Sequence, residues 1–453
     1  TMKIKSPFVV FFVLLVLSLA CSPAKKSPRV TARPSYRFDF GPGKLGKGYT
    51  RVLPGMAYSS DRGYGFYEGA QLAGVERQSR DALTAGLCTS DEPFYFAVDV
   101  PEGNYNVKFI LGGTESGSEM VIKAESRRLM LEGVTTGPGQ VITCMATVNV
   151  RYKTISSGKE VRLTSRELGH FNWDQQLTLE FNGKQPAVCA LEITPVEDAI
   201  TVYLAGNSTV TDQRDEPWAS WGQMLPRFFK AGHTAIANHA ESGESLKRFL
   251  AENRLEKILS TMKAGDYLFI QFGHNDQKKE SSAYVEPFTG YKEYLKRFID
   301  AARSKGGLPV LVTPVNRRTF DDSGSFINSH GDYPEAMRQV AREEQVPLIG
   351  LNAMSKLLFE ALGPEGSKKA FVHYPAGTFP GQEKALADDS HFNDYGAYQL
   401  AKCIVEGIKS NKLGLADYLV DGLPDYDPGQ PEAPENWHLP LSPGSSLEKP
   451  AGH

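Results

Sequence analysis

Two different hydrophobic periods divide this chain. From 36 to 196 apolar residues recur at every second position. Phe94, Phe96, Val98 and Val100 alternate with other residues, and Tyr105, Val107, Phe109 and Leu111 do so after the turn Pro101-Glu102-Gly103-Asn104. Segments 141–150 and 177–181 continue the pattern, and Asn182-Gly183 reads as a hairpin signal. Alternation turns one face of each strand toward a core. Many short strands between Gly, Pro and Asn turns, with no sustained helical period, predict an all-β sandwich over 35–197.

Near Asp198 the texture changes. Segment 200–204 is an apolar strand running into Gly206, 235–238 a weaker one, and 267–270 a strand that ends at Gly273. Segments 308–315 and 346–351 are further strands. Between them, Trp218, Trp221, Leu225 and Phe228 recur at helical spacing, and 255–262, 291–304, 334–344 and 395–409 read as helices. Strands alternating with helices predict an α/β domain over 198–419, with a parallel sheet covered on both faces. Segment 420–453 is rich in Pro, Asp and Glu and reads as an extended tail over the surface.

The N-terminus has a different character. Lys3 and Lys5 precede an apolar run from Phe8 to Leu19. That run is too short to span a hydrocarbon core of about 30 Å as a helix. It reads as a secretory signal over 1–21, followed by a Lys-, Ser- and Pro-rich linker over 22–34. Cys21 directly after Leu19-Ala20 resembles the lipidation site of a bacterial lipoprotein, although Ser18 stands where Leu is usual. The expectation is export, to the periplasm or the outer membrane, with contact to a membrane only through a lipid anchor at Cys21.

Composition narrows the function. The 50 basic and 53 acidic residues leave a formal charge of -3, which argues against a nucleic-acid partner. Beyond Cys21 the cysteines are Cys88, Cys144, Cys189 and Cys403, with no CxxC pair or Cys/His cluster. No structural zinc site is expected, and spacing alone pairs none of the four.

Four short segments carry candidate chemistry: Gly206-Asn207-Ser208-Thr209, Ser242-Gly243-Glu244, Gly273-His274-Asn275-Asp276 and Asp388-Asp389-Ser390-His391. Ser208 follows a strand end just ahead of an expected helix, where a hydroxyl can face solvent. A hydroxyl needs a base to take its proton, and a histidine base needs a carboxylate to orient it. Asp388 and His391, three residues apart in one loop, can share a local turn. Gly243 and Asn275 also follow strand ends and can donate N–H groups to a developing oxyanion. Each segment alone is compatible with an ordinary turn or helix cap; their order and strand-end placement together point to serine-based acyl transfer.

These segments resemble the sequence blocks of the SGNH (GDSL-type) hydrolase superfamily. Phe272-Gly273-His274-Asn275-Asp276-Gln277, Thr313-Pro314-Val315, Asp332-Tyr333-Pro334-Glu335-Ala336-Met337 and Asp388-Asp389-Ser390-His391-Phe392 resemble rhamnogalacturonan acetylesterases, carbohydrate esterase family 12. The likeness spans about 201–412. It implies a flavodoxin-like three-layer α/β/α domain with Ser208 as nucleophile, His391 as base and Asp388 as its partner. It also implies an oxyanion hole from the N–H groups of Ser208 and Gly243 and the Asn275 amide, and no metal or organic cofactor. One departure is Asn207, where the family has Asp.

Phe38-Asp39-Phe40-Gly41 and Pro101-Glu102-Gly103 give the sandwich a looser resemblance to galactose-binding-like domains. Tyr58, Tyr64, Phe66, Tyr67 and Trp173 are its candidate sugar-stacking aromatics, against the alternative that they simply pack. Lys278, Arg317 and Arg318 follow strand ends and are candidates for pairing with uronate carboxylates of the substrate, against solvated surface charge. The resemblance thus implies an exported esterase acting on acetylated plant cell-wall polysaccharide, rhamnogalacturonan first. Acetylxylan or another glycan is an alternative substrate. A non-catalytic glycan-binding protein, its site decayed at Asn207, is the alternative of another class. A lipid esterase fits poorly with the charged segments 276–280 and 316–322.

Overall fold

The alternating first half folds into two mostly antiparallel sheets packed face to face. One runs in the order Val141–Val150, Gly103–Gly112, Ala187–Pro195, Tyr36–Phe40, Thr50–Val52, with Ala73–Glu76 and Gly86–Thr89 attached at its side. The other runs Tyr64–Phe66, Phe94–Asp99, Gln176–Lys184, Ser118–Ala124, Arg128–Thr136. The inward positions are those the alternation marks, among them Phe38, Phe96, Val107, Phe109 and Leu179. Phe96 meets Phe38 and Phe40 edge-on at 5.1 Å, a favourable arrangement of ring quadrupoles. The computed structural model describes residues 33–444 apart from 68 and 70, together with 1, 2, 447, 449 and 450. The signal segment, Cys21 and most of the 22–34 linker lie outside the described residues.

Asn182-Gly183 is not a hairpin turn. Both residues lie within the strand Gln176–Lys184. Gly183 has a φ of 107°, and a Cβ there would strike the Glu119 carbonyl, so the glycine serves a close approach of backbones instead. Trp173 and Phe66 are buried, which removes them as exposed stacking platforms. Two guanidinium groups approach the Trp173 ring, Arg151 at 4.6 Å and Arg254 at 5.9 Å. Cys88, Cys189 and Cys403 are buried free thiols and Cys144 is a half-buried one.

The second half forms a parallel five-stranded sheet, in the order Thr234–Asn238, Ile200–Gly206, Tyr267–Gln271, Leu308–Val312, Leu348–Ile349. Numbered along the chain this is 2-1-3-4-5, the flavodoxin-like order. Its strands are buried on both faces, as parallel strands require. Val202, Leu204, Phe269 and Val312 face one helical layer, and Tyr203, Ala205, Leu268 and Leu311 the other. Helices Lys292–Arg303 and Tyr333–Glu344 cover the second face. Asp394–Ser410 and Leu351–Gly366 cover the first, and the latter was not anticipated. The helical spacing at 218–228 yields only a short helix, Trp221–Met224, and a 3-10 turn, Leu225–Phe228.

Sandwich and α/β layers belong to one compact unit from Pro34 onward. The hairpin between Ser118–Ala124 and Arg128–Thr136 drives two arginines into the junction. Arg127 Nη1 donates to the carbonyls of Gln213 (3.0 Å) and Trp218 (2.9 Å), and its Nη2 pairs with Glu216. Arg128 Nε lies 3.1 Å from Asp212 Oδ2. The tail is extended but does not merely skirt the surface. Lys123 Nζ donates to Pro440 O (2.9 Å) and Ser442 Oγ (2.7 Å), and buried Ser442 donates from its backbone N–H to Glu216 Oε1 (3.0 Å). Removing one partner of a buried ion pair costs about 3–5 kcal/mol. Arg127→Met is therefore expected to lower the urea-unfolding midpoint by a corresponding amount, measured by tryptophan fluorescence; a midpoint equal to wild type would show the contact to be dispensable.

Candidate active site

Ser208 sits just beyond the carboxyl end of the strand Ile200–Gly206. That strand lies between Thr234–Asn238 and Tyr267–Gln271, where the strand order reverses, the position at which open α/β sheets bind ligands. No helix follows directly. Ser208 occupies a turn in which Val210 N–H (2.9 Å) and Thr211 N–H (3.0 Å) donate to Asn207 O. The Asn207 side chain acts there as an acceptor. Its Oδ1 accepts from Thr209 N–H (3.1 Å) and Thr209 Oγ1 (2.9 Å), while Nδ2 has no hydrogen-bond partner. Asn can supply what a carboxylate would at this turn, because only one oxygen is used. The Thr209 hydroxyl accepts from Gln271 Nε2 (2.7 Å), whose Oε1 accepts from Trp221 Nε1 (2.8 Å), so the turn is locked to the sheet.

Asp388 and His391 belong to a strand, Leu386–Phe392, not to a loop. Residues three apart on a regular strand point to opposite faces. A bulge resolves this: Phe371 pairs with Phe392 and Val372 with Asp388, so residues 389–391 loop out of register. His391 Nδ1 is then 2.8 Å from Asp388 Oδ2, and His391 Nε2 is 2.9 Å from Ser208 Oγ. Asp388 Oδ1 accepts from Ser390 N–H (2.9 Å) and His391 N–H (3.2 Å). Trp218 Nε1 donates to Oδ2 at 3.3 Å, and Lys449 Nζ lies 3.5 Å from the same atom. Burial pushes this carboxyl upward, but His391, the Ser390 N–H and Lys449 together hold it well below the usual carboxylate range. The line is desolvated rather than solvent-facing, with Ser208 3%, His391 2% and Asp388 4% exposed.

The two other loops close around this line. Glu241 N–H donates to Gly206 O (3.3 Å), and Thr211 Oγ1 donates to Ala240 O (2.8 Å), which brings the Ser242-Gly243-Glu244 loop beside the Ser208 turn. Gly243 has a φ of 84°, a conformation that favours glycine. Asn275 Nδ2 donates to Glu244 O (2.8 Å). Asp276 fastens both loops, accepting from Leu246 N–H (2.9 Å) and Gly273 N–H (2.8 Å). Burial raises Asp276 to about 6 and raises Glu244 as well.

Of the basic candidates, Arg317 and Lys278 share one neighbourhood. Arg317 Nη2 donates to His274 O (3.1 Å), and Lys278 is lowered to about 8 by burial and then by Arg317. Arg318 stands apart from them: it pairs with Asp389 and donates to Pro364 O (3.0 Å). Sequence reasoning missed Trp218, Lys449 and the facing imidazoles of His274 and His330, 4.3 Å apart. Burial holds both imidazoles neutral, His330 near 3. Nothing in the sequence signals Lys449; His274 lies inside a block whose Gly and Asn alone drew a role. Among the described residues no group of three or more His, Cys, Asp or Glu is arranged to hold a metal.

Residues 200–397 match the model of the GDSL-like lipase/acylhydrolase family. Residues 36–136 match the β-agarase/YXIM esterase-like, galactose-binding domain-like family. The chain is 43% identical over 223 residues to rhamnogalacturonan acetylesterase RhgT of Bacillus subtilis, which covers 49% of this chain and 94% of that protein. The chain belongs to the GDSL-like lipase/acylhydrolase family. As a member it is a carboxylic ester hydrolase. The uncharacterized esterase YxiM of Bacillus subtilis is 27% identical over 420 residues, 90% of this chain and 98% of that one. Its crystal structure aligns with a TM-score of 0.43 over 84% of this chain and 99% of that one.

Within this GDSL-like fold, Asn207→Ala removes the acceptor that holds the Thr209 N–H and hydroxyl. Leaving buried donors unmade costs about 1–3 kcal/mol. The variant is expected to lose that much stability in urea unfolding, whereas Asn207→Asp, which keeps an acceptor, retains ester hydrolysis. Loss of hydrolysis in Asn207→Asp would mean that the neutral amide itself is required.

Proposed function

We propose that this enzyme removes O-acetyl groups from plant cell-wall polysaccharide, rhamnogalacturonan in particular, by serine acyl transfer. What carries the reading is the unbroken line from Ser208 Oγ to His391 Nε2 (2.9 Å) and from His391 Nδ1 to Asp388 Oδ2 (2.8 Å). Ser208 Oγ attacks the acetyl carbonyl carbon while His391 Nε2 takes its proton. Asp388, ionised, holds the Nδ1–H tautomer and stabilises the imidazolium that forms. The tetrahedral oxyanion receives hydrogen bonds from the Ser208 and Gly243 N–H groups and from Asn275. An amide nitrogen carries two N–H groups, so the bond to Glu244 O leaves one for this role.

Collapse of the intermediate breaks the bond to the sugar oxygen, which leaves with the proton from His391. Water then attacks the acetyl-Ser208 ester, giving a proton to His391 Nε2. Acetate departs and Ser208 Oγ recovers that proton. The named activity of the relative that is 43% identical supports acetylated rhamnogalacturonan as substrate. Lys278 and Arg317 support it chemically, as a cationic pair suited to a uronate carboxylate. The N-terminal apolar run and Cys21 support export of the enzyme to where such polymers occur.

Acetate release from acetylated rhamnogalacturonan, with acetylxylan alongside, tests the reading. Asp388→Asn is expected to lower kcat on the order of 10⁴-fold, and Ser208→Ala at least as much. Acetate release that survives Ser208→Ala would end the acyl-enzyme account; glycan binding without any release would point to the non-catalytic alternative.

Lys278 gives a pH signature. Being lowered to about 8, it loses its charge as pH rises through that value, and with it the attraction for a carboxylate. KM for a uronate-bearing substrate is expected to climb above pH 8, while KM for a neutral acetyl ester does not follow. Lys278→Ala should flatten the difference. Identical pH profiles for the two substrates in wild type would exclude Lys278 from substrate binding.

A further inference from the structure

A cavity of about 1020 Å³ opens where the sandwich meets the hydrolase layers. Its size reaches the upper end of the roughly 300–1,000 Å³ common for ligand sites. One wall is aromatic. Tyr67 and Phe171 face each other at 5.2 Å with ring planes tilted by 31°, and Tyr95 meets Phe171 at 5.1 Å. All three are half-buried. The lining also carries polar groups, His170, Arg214 and Asp215 among them. Arg214 is held in place, with Nε 2.6 Å from Asp215 Oδ2 and Nη1 donating to Arg166 O at 2.7 Å.

The cavity shares part of its lining with a cleft near the reacting groups. Ser126, His170, Arg214 and Asp215 also line a narrow cleft that continues to Gln213 and Ser242. Gln213 Nε2 donates to Ser208 O at 2.6 Å, and Ser242 precedes Gly243. Aromatic rings together with fixed polar groups suit a pyranose ring, which offers an apolar C–H face and a rim of hydroxyls.

We propose that this inter-domain cavity is a glycan subsite. It would hold an unreacted stretch of the polysaccharide while an acetylated sugar of the same chain reaches Ser208. The choice of a pectic glycan as occupant rests on the esterase reading above. The sandwich would thus bind substrate through its junction with the hydrolase layers, by residues of both, and not through an exposed aromatic platform.

The test is titration calorimetry of the wild-type enzyme with de-O-acetylated rhamnogalacturonan oligosaccharides, which offer no ester to the reacting serine. Binding is expected, and Phe171→Ala should raise Kd at least about tenfold. Pro443→Trp places a bulky ring on the exposed tail that lines the cavity, without emptying a packed position. It should raise Kd similarly, and it carries the test if Phe171→Ala fails to fold. Absence of oligosaccharide binding, or a Kd unchanged in the folded variants, overturns the subsite. Acetate release is scored separately. Release with no cavity-dependent binding sinks the subsite alone, whereas cavity-dependent binding with no release sinks the esterase reading alone.

Discussion

The segment that carries Ser208 is an irregular loop buried in the molecule, and a buried loop must find donors for its carbonyls. Residues 207–220 contain no regular element before the helix Trp221–Met224, yet nearly every side chain in them is buried. The sandwich supplies part of what is missing. Arg127 donates to Gln213 O and Trp218 O, and Arg128 faces Asp212. Gln213 in turn donates to Ser208 O, and Trp218 to Asp388. Arg127 therefore stands one residue away from both ends of the Ser208–His391–Asp388 line, and Arg128 braces the same loop at Asp212. Arg127 adopts a φ of 60°, which a non-glycine residue accepts only when its surroundings over-determine it. The sandwich is then part of the site's construction, not an appendage to a complete enzyme.

Desolvation has opposite consequences on the two sides of this site. Asp388 is buried but receives backbone N–H groups and the His391 ring, so its charged form is favoured. Glu244 is equally inaccessible, neither of its carboxyl oxygens has a hydrogen-bond partner, and burial raises it. His274 and His330, packed ring to ring, are driven to the neutral form. Low dielectric strengthens whatever charges remain. Burial thus favours the neutral forms of Glu244, His274 and His330, whereas the hydrogen bonds that Asp388 accepts favour its charged form beside His391.

The same distinction between local and non-local causes explains what could be read from the sequence. The sandwich and the parallel sheet were legible because a period of two, and its replacement by alternating strands and helices, are local signals. Helix Leu351–Gly366 escaped notice because its apolar residues show weak helical periodicity; Gly363 and Pro364 interrupt it near its end. The four chemical segments were visible as strings, but their geometry was not. Spacing suggested that Asp388 and His391 share a turn. The actual cause is a bulge against Phe371 and Val372, which depends on the register of a partner strand.

Contacts that join distant parts of the chain left no trace at all. Lys449 beside Asp388, and Arg127 against Gln213, link positions whose own neighbourhoods look like ordinary loops. Arg318 shows the converse. Adjacent to Arg317 and equally basic, it turns instead to Asp389 and Pro364 O. Whether a surface cation is available to a substrate is decided by the carboxylate that reaches it first, and that is a property of the fold. A residue-type argument therefore identifies which chemistry a chain can assemble. Which member of an adjacent pair takes part is fixed only once the partners have been brought into range.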